Sequence, residues 1–259
     1  MGGAESEENM NIFLILSFLF FIGSCLGWCM EVIFRRFFSR ANPERKWINP
    51  GFLVGPYLPI YGFGLCLLYL LASLERFAPF PWPAANKIFM FVLMAVCMTV
   101  VEYVGGVIFI QGMHVKLWDY SHEKLNYKGI ICLKFSLIWA ALGAVYYFFI
   151  HSYVLHALTW LSQNLAFSFF IGLFMGVLIV DFFYSANVLS KIRAAAKESG
   201  IIVKYEGLKA YIQTERSKRK ERLRFLLAFR SEQPLSAHVK EYVEKQKEHL
   251  KELEQRLKK

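Results

Sequence analysis

Polar positions are sparse along the first 188 residues, and where they gather they divide the chain into apolar runs. A helix that crosses a bilayer needs roughly 20 consecutive, mainly apolar residues. Five stretches meet or approach that length, at about 11–34, 58–74, 87–110, 130–149 and 164–188. The pattern predicts an all-α fold, an integral membrane bundle of five transmembrane helices. Its divisions are an acidic segment at 1–10, a transmembrane domain at 11–188 and a basic helical tail at 189–259.

Within the first run, Gly23, Gly27, Glu31 and Arg35 recur every four residues and so form one drifting stripe on a helix. Gly23 and Gly27 have the spacing that lets two membrane helices approach closely. Glu31 and Arg35 stand at i and i+4, as part of a polar site or as a snorkelling ion pair at the helix end. Small residues also stripe the later runs: Ser136, Ala140 and Ala144 in the fourth, Ser168, Gly172 and Gly176 in the fifth, with Asp181 beyond them.

Two polar interruptions carry more than turn chemistry. The first holds Arg35, Arg36, Arg40, Arg45 and Lys46, then Pro50-Gly51, Gly55-Pro56, Pro59 and Gly62-Phe63-Gly64. That density of Pro and Gly excludes regular helix before about Ile60. Irregular backbone at membrane depth must be buried in protein or line a watery cavity. The stretch 55–62, which includes Tyr61, is either a re-entrant, cavity-lining element or a surface loop leading into the second span. The second interruption places Trp118, Asp119, Tyr120, His122, Glu123 and Asn126 within about one loop's length, where function tends to concentrate. Trp118 and Tyr120 have an alternative role as aromatic anchors at the headgroup level.

Composition supports the membrane class: 56% of residues are hydrophobic and Phe alone occurs 25 times. The net charge of +10 is uneven, because nineteen of the thirty Lys and Arg lie after residue 188. Basic loops stay cytoplasmic. The loop between spans one and two has five basic residues, and that between three and four, with the start of span four, has Lys116, Lys124, Lys128 and Lys134. The opposite connections hold Arg76 and Lys87 in one and neither Lys nor Arg in the other. The amino terminus is therefore expected outside and the basic tail in the cytoplasm.

In that topology Glu31, Glu102 and Asp181 all fall in the cytoplasmic half of their spans. A carboxylate at mid-span costs about 2.5–3.5 kcal/mol on insertion scales, so three on one side suggest a polar cavity open to the cytoplasm. Asp119 and the 55–62 stretch would cap it. The candidate pathway residues are Glu31, Glu102, Asp181, Trp118, Asp119, Tyr120, Asn126 and Tyr61; the alternative is that each acid only hydrogen-bonds a neighbouring helix.

The tail has two parts. Arg216, Lys218, Arg219, Lys220, Arg222 and Arg224 make a polybasic stretch, suited to anionic lipid headgroups at about 1 kcal/mol per basic residue rather than to a specific nucleic acid. Val239, Val243, Gln246, Leu250, Leu253 and Leu257 follow a heptad seam, fitting a homodimer contact or a solvated amphipathic helix.

Known catalytic devices do not occur. There is no Gly-x-x-x-x-Gly-Lys-Ser/Thr phosphate loop, no His-Glu-x-x-His helix and no Gly-x-Ser-x-Gly elbow. His114, His122, Asp119 and Glu123 lack a ligand rhythm, so neither metal nor other cofactor is expected. The five cysteines, Cys25, Cys29, Cys66, Cys97 and Cys132, sit in or beside apolar runs and read as small apolar groups rather than a disulfide framework.

Several of these pieces occur in a familiar order: Gly27-Trp28 with Glu31; Gly55-Pro56 with Pro59-Ile60-Tyr61-Gly62 and Gly64; Glu102 with Gly106; Trp118-Asp119-Tyr120-Ser121 with Asn126 and Gly129; and Ile131-Cys132-Leu133 leading to Ser136 and Trp139. Over roughly residues 11–189 the chain resembles the bacterial CmpB-like family of type IV ABC-transporter permeases. The resemblance implies a multi-pass protein of the bacterial cytoplasmic membrane that acts as the permease half of an ATP-driven transporter, with a separate ATP-hydrolysing subunit. That subunit would dock on the 35–57 and 114–128 loops. The residues alone leave two other readings open: a membrane-embedded enzyme acting on a lipid or lipid-linked substrate with Glu102 or Asp119 as general base, or a non-catalytic membrane scaffold or sensor.

Overall fold

The computed structural model describes residues 11–39, 42, 45–199, 202–218 and 234–257. Helices dominate: α1 Ile12–Phe37, α2 Pro59–Ser73, α3 Pro83–Val107, α4 Leu133–Val145, α5 His151–Gln163, α6 Ser168–Ser199, α7 Tyr205–Lys218 and α8 Leu235–Leu257. The strands are two residues each. β1 (Val115–Lys116) pairs in parallel with β4 (Val203–Lys204), and β2 (Asn126–Tyr127) pairs antiparallel with β3 (Ile131–Cys132).

Among the described residues, four helices are long and apolar enough to cross a membrane: Ile12–Phe37, Pro83–Gly112, Leu133–Gln163 and Leu165–Glu198. Their outer faces are those of lipid-exposed segments. On α6, Phe169 is 70% exposed, Val180 71% and Phe183 69%, a patch that water would not tolerate on a soluble protein. This is a membrane-embedded protein. Helix α2 is apolar but has only 15 residues, a rise of about 22 Å against a hydrocarbon core of roughly 30 Å.

The fourth element runs further than the apolar pattern predicts. Instead of the connection expected between the runs at 130–149 and 164–188, a π-helical turn at Tyr146–Ile150 leads straight into α5. Pro and Gly are absent from 144–163, and two of the hydroxyls there are satisfied within the helix. The Thr159 hydroxyl donates to the Leu155 carbonyl at 3.1 Å, and that of Ser162 to Thr159 at 2.7 Å. Polarity alone therefore does not break the helix.

The chain divides into two compact units. The first comprises Met1–Cys29, Tyr57–Gly105 and Tyr120–Val180. Its core gathers Phe18 and Leu19 of α1, Leu68 and Leu71 of α2, Met90, Met94 and Met98 of α3, Trp139 of α4, Leu158 and Leu161 of α5 and Ile171 of α6. The glycine stripe of α1 faces α2. A Cβ at Gly27 would run into the Tyr61 ring, and one at Gly23 would lie 2.9 Å from the Leu65 Cβ. From the other side, a Cβ at Gly62 would come within 2.7 Å of the Phe20 carbonyl. Close approach of these two helices thus requires glycine. The corresponding stripe of α6 is open, since a Cβ at Gly172 or Gly176 would meet no atom within 4 Å.

The second unit comprises Met30–Pro56, Gly106–Asp119 and Asp181–Lys259. Its core is separate: Val115, Leu189, Ile192, Val203, Tyr205, Leu208 and Ile212, with Val239, Tyr242 and Val243 of α8. The beginning of the heptad seam is thereby packed within the chain. Of the polybasic stretch, Arg216 and Lys218 lie in the last turn of α7; Arg219, Lys220, Arg222 and Arg224 fall outside the described residues, as does the acidic 1–10 segment.

Candidate functional site

In the first unit, the site is built on Glu102 of α3, which is 3% exposed. The Tyr120 hydroxyl donates a 2.9 Å hydrogen bond to Glu102 Oε1. The Tyr120 ring stacks on Phe135 of α4, with centroids 4.3 Å apart and planes 9° from parallel. A stacked ring holds its hydroxyl in one direction, so the aromatic pair aims the donor at the carboxylate.

The loop that carries Tyr120 is folded by its own polar groups. The Tyr120 N–H donates to the Gly129 carbonyl at 2.9 Å, and Gly129 has φ 67, where a side chain would be strained. Asn126 is the staple: its Oδ1 accepts the Gly129 N–H at 3.1 Å, and its Nδ2 donates to the Glu123 carbonyl at 2.9 Å. Asn126 therefore positions the loop. Tyr61, packed against the α1 glycines, lies 5.2 Å from the Trp139 ring by centroids. Around Glu102 the arrangement provides a buried carboxyl with a phenolic partner, suited to holding a proton or a cationic group.

In the second unit, Asp181 of α6 receives the Pro-Gly loop. Its Oδ1 accepts the Val54 N–H at 3.0 Å and the Ser185 hydroxyl at 2.8 Å, and its Oδ2 accepts the Gly55 N–H at 2.7 Å. The loop's carbonyls are held from elsewhere. Asn49 Nδ2 donates to Leu53 and Val54 at 3.1 and 2.9 Å, and the Tyr205 hydroxyl donates to Phe52 at 3.3 Å. Lys209 Nζ donates to the Asn49 and Gly51 carbonyls at 3.0 and 2.7 Å. A loop with so many turn residues is irregular by itself; these contacts give it one conformation.

Burial pushes the Lys209 ammonium down to about 7, with the Arg35 guanidinium adding to the shift. Burial likewise raises the Tyr205 phenol, helped by the charge of Asp181, so that hydroxyl remains a donor. Glu31 accepts from Arg35 Nε at 2.9 Å, and Arg35 is also paired with Glu206. Asp119 is joined to Lys204 at 2.7 Å and to Lys116 at 3.3 Å. The parallel pairing of β1 with β4, with the Val203 N–H donating to His114 O at 3.1 Å, brings those lysines to it.

The predicted residues thus fall into two groups. Glu102, Tyr120, Asn126 and Tyr61 belong to the first unit; Glu31, Trp118, Asp119 and Asp181 belong to the second. Asn49, Ser185, Lys204, Tyr205, Glu206 and Lys209 were not legible as partners. One signal was present: Lys209 interrupts the apolar stripe Tyr205, Leu208, Ile212 at helical spacing. Among the described residues, no three His, Cys, Asp or Glu side chains group as metal ligands would.

The family model described as "Putative ABC-transporter type IV" matches residues 18–186. No curated protein and no solved structure matches the chain. The matched segment takes in the apolar helices, the Pro-Gly loop, the Glu102–Tyr120 pair and Asp181, and it ends before α7. With more than half of its length under that model, the chain belongs to the type IV ABC-transporter family.

Proposed function

We propose that this protein is the permease subunit of an ABC-type transporter in the bacterial cytoplasmic membrane, working with a separate ATP-hydrolysing subunit. The family match over 18–186 carries the reading. In this reading α2 completes five spans, the amino terminus is outside and the tail is cytoplasmic. The chain has no phosphate loop of its own, which is consistent with ATP being hydrolysed by a partner. Residues 11–188 form the transmembrane domain, and the basic stretch of the tail lies against anionic lipid.

Glu102 and Tyr120 are the proposed pathway groups, because an intramembrane carboxyl is costly and is retained where it does work. Asp181, Glu31 and Asp119 serve that pathway by fixing the cytoplasmic loops: Asp181 through backbone amides, the other two through ion pairs. Isolation of the full chain from native membranes in mild detergent, followed by mass spectrometry, tests the partnership. Stoichiometric recovery of an ATPase is the expected result. Its absence from intact, monodisperse protein overturns the two-component transporter.

A further inference from the structure

Helix α7 and the two residues before it reach three separate stretches of the second unit. Lys204 pairs with Asp119, Glu206 with Arg35, and Lys209 with the carbonyls of Asn49 and Gly51. Tyr205 adds its bond to Phe52. All four lie beyond residue 186, where the family match ends. A segment outside the matched domain therefore holds one of that domain's loops.

The chemistry of the Lys209 contact is unusual. The side chain is buried, yet both of its hydrogen-bond acceptors are uncharged backbone carbonyls. A buried ammonium is stable when a carboxylate balances it, and costly otherwise. A neutral amine keeps two N–H groups and can serve the same two acceptors. Losing the proton thus keeps the geometry and removes the cost of burying charge.

We propose that the segment Val203–Ile212 is a proton-sensitive strap over the Asn49–Gly55 loop, held most tightly when Lys209 is uncharged. Acidification loosens it by placing a charge at a buried position; alkalinisation seats it. The inference stands on the second unit alone and goes beyond the transport reading.

Other titratable groups lie around the pin. From α1 come Arg35 and its partner Glu31; from α6 come Asp181, bound by the loop amides, and Tyr184. Helix α7 itself carries Tyr205, whose ring lies 4.7 Å from the Lys209 ammonium, and Glu206, bound to Arg35. Helix α8 brings Tyr242, which shares a core with Tyr205 and Leu208, and also carries the buried His238. Of these residue types only histidine ordinarily titrates near neutrality, so His238 is the necessary control.

The test is hydrogen exchange on the full-length protein in lipid nanodiscs, following peptides that cover Tyr205–Ile212 from pH 6 to 9.5. Protection is taken relative to the intrinsic exchange rate at each pH. One linked proton changes an opening equilibrium about tenfold per pH unit. Protection in the native sequence should be flat below about 7 and rise about tenfold per unit above it. Lys209→Met should abolish the slope. His238→Gln should retain it, and Tyr205→Phe should lower protection at every pH while retaining it. A flat or falling profile in the native sequence overturns the proposal. So does a slope that survives Lys209→Met, or one that disappears in His238→Gln or Tyr205→Phe.

Discussion

The Tyr120 hydroxyl donates to Glu102 at 2.9 Å, joining a loop residue to an acid inside an apolar helix 18 positions earlier. A hydrogen bond of this kind contributes about 0.5–1.5 kcal/mol. Tyr120→Phe should therefore lower the stability of the purified protein by that order, read as a lower thermal unfolding midpoint in detergent. Glu102→Gln keeps an oxygen acceptor for the same hydroxyl and should unfold close to the native protein. In the transport reading it should nevertheless abolish uptake. Full uptake by Glu102→Gln would remove Glu102 from the pathway.

Glycine matters at one α1 position and not at an α6 position of the same spacing class. Gly27→Ala places a methyl into the Tyr61 ring, whereas Gly172→Ala places it in open space. Overpacking of this kind costs about 1–3 kcal/mol. Gly27→Ala should unfold earlier and elute as aggregated material on size exclusion. Gly172→Ala should match the native protein to within about 1 kcal/mol, the helix-propensity difference between the two residues.

Asp181 uses both oxygens as acceptors for backbone N–H groups. In Asp181→Asn one oxygen becomes an NH2 donor, so one amide of Val54 or Gly55 faces another donor. Leaving a buried donor unmatched costs about 1–3 kcal/mol. Exchange of the Val54 or the Gly55 amide should accelerate in that variant by about one to two orders of magnitude. Unchanged exchange at both positions would show that the loop is held without the carboxylate.

Lys209 gives stability a sign as well as a site. Its folded pKa, about 7, lies below the value of a solvated lysine, roughly 10.4. Between those values the unfolded chain binds the proton and the folded chain does not, so stability rises with pH across that window. Below about 7 both states are protonated and this group adds no slope. The rise should approach about 1.4 kcal/mol per pH unit. Chemical denaturation of the native sequence against Lys209→Met at pH 7 and 9 measures it.

The apolar runs were enough to locate the four helices long and apolar enough to cross a membrane, because insertion into lipid depends on the summed transfer of side chains close together in sequence. The same local logic exposed the α1 glycines and the irregular backbone before Ile60. It misread the region after Phe149, where the apolar run ends but the helix continues, with the Thr159 and Ser162 hydroxyls bonded to its own carbonyls. A carboxylate such as Asp181 could be flagged as costly from its apolar surroundings, but its partners could not be named. Two of those partners are backbone amides 126 and 127 positions away, and every non-proline residue carries such an amide. Lys209 was hidden for the same reason: a lysine in a basic tail looks solvated until folding carries it 158 positions back to Gly51. Local hydrophobicity thus determined which segments are apolar enough to enter the membrane. Only the tertiary structure decided which backbone groups meet the charges, because that choice depends on geometry and leaves no mark in side-chain identity.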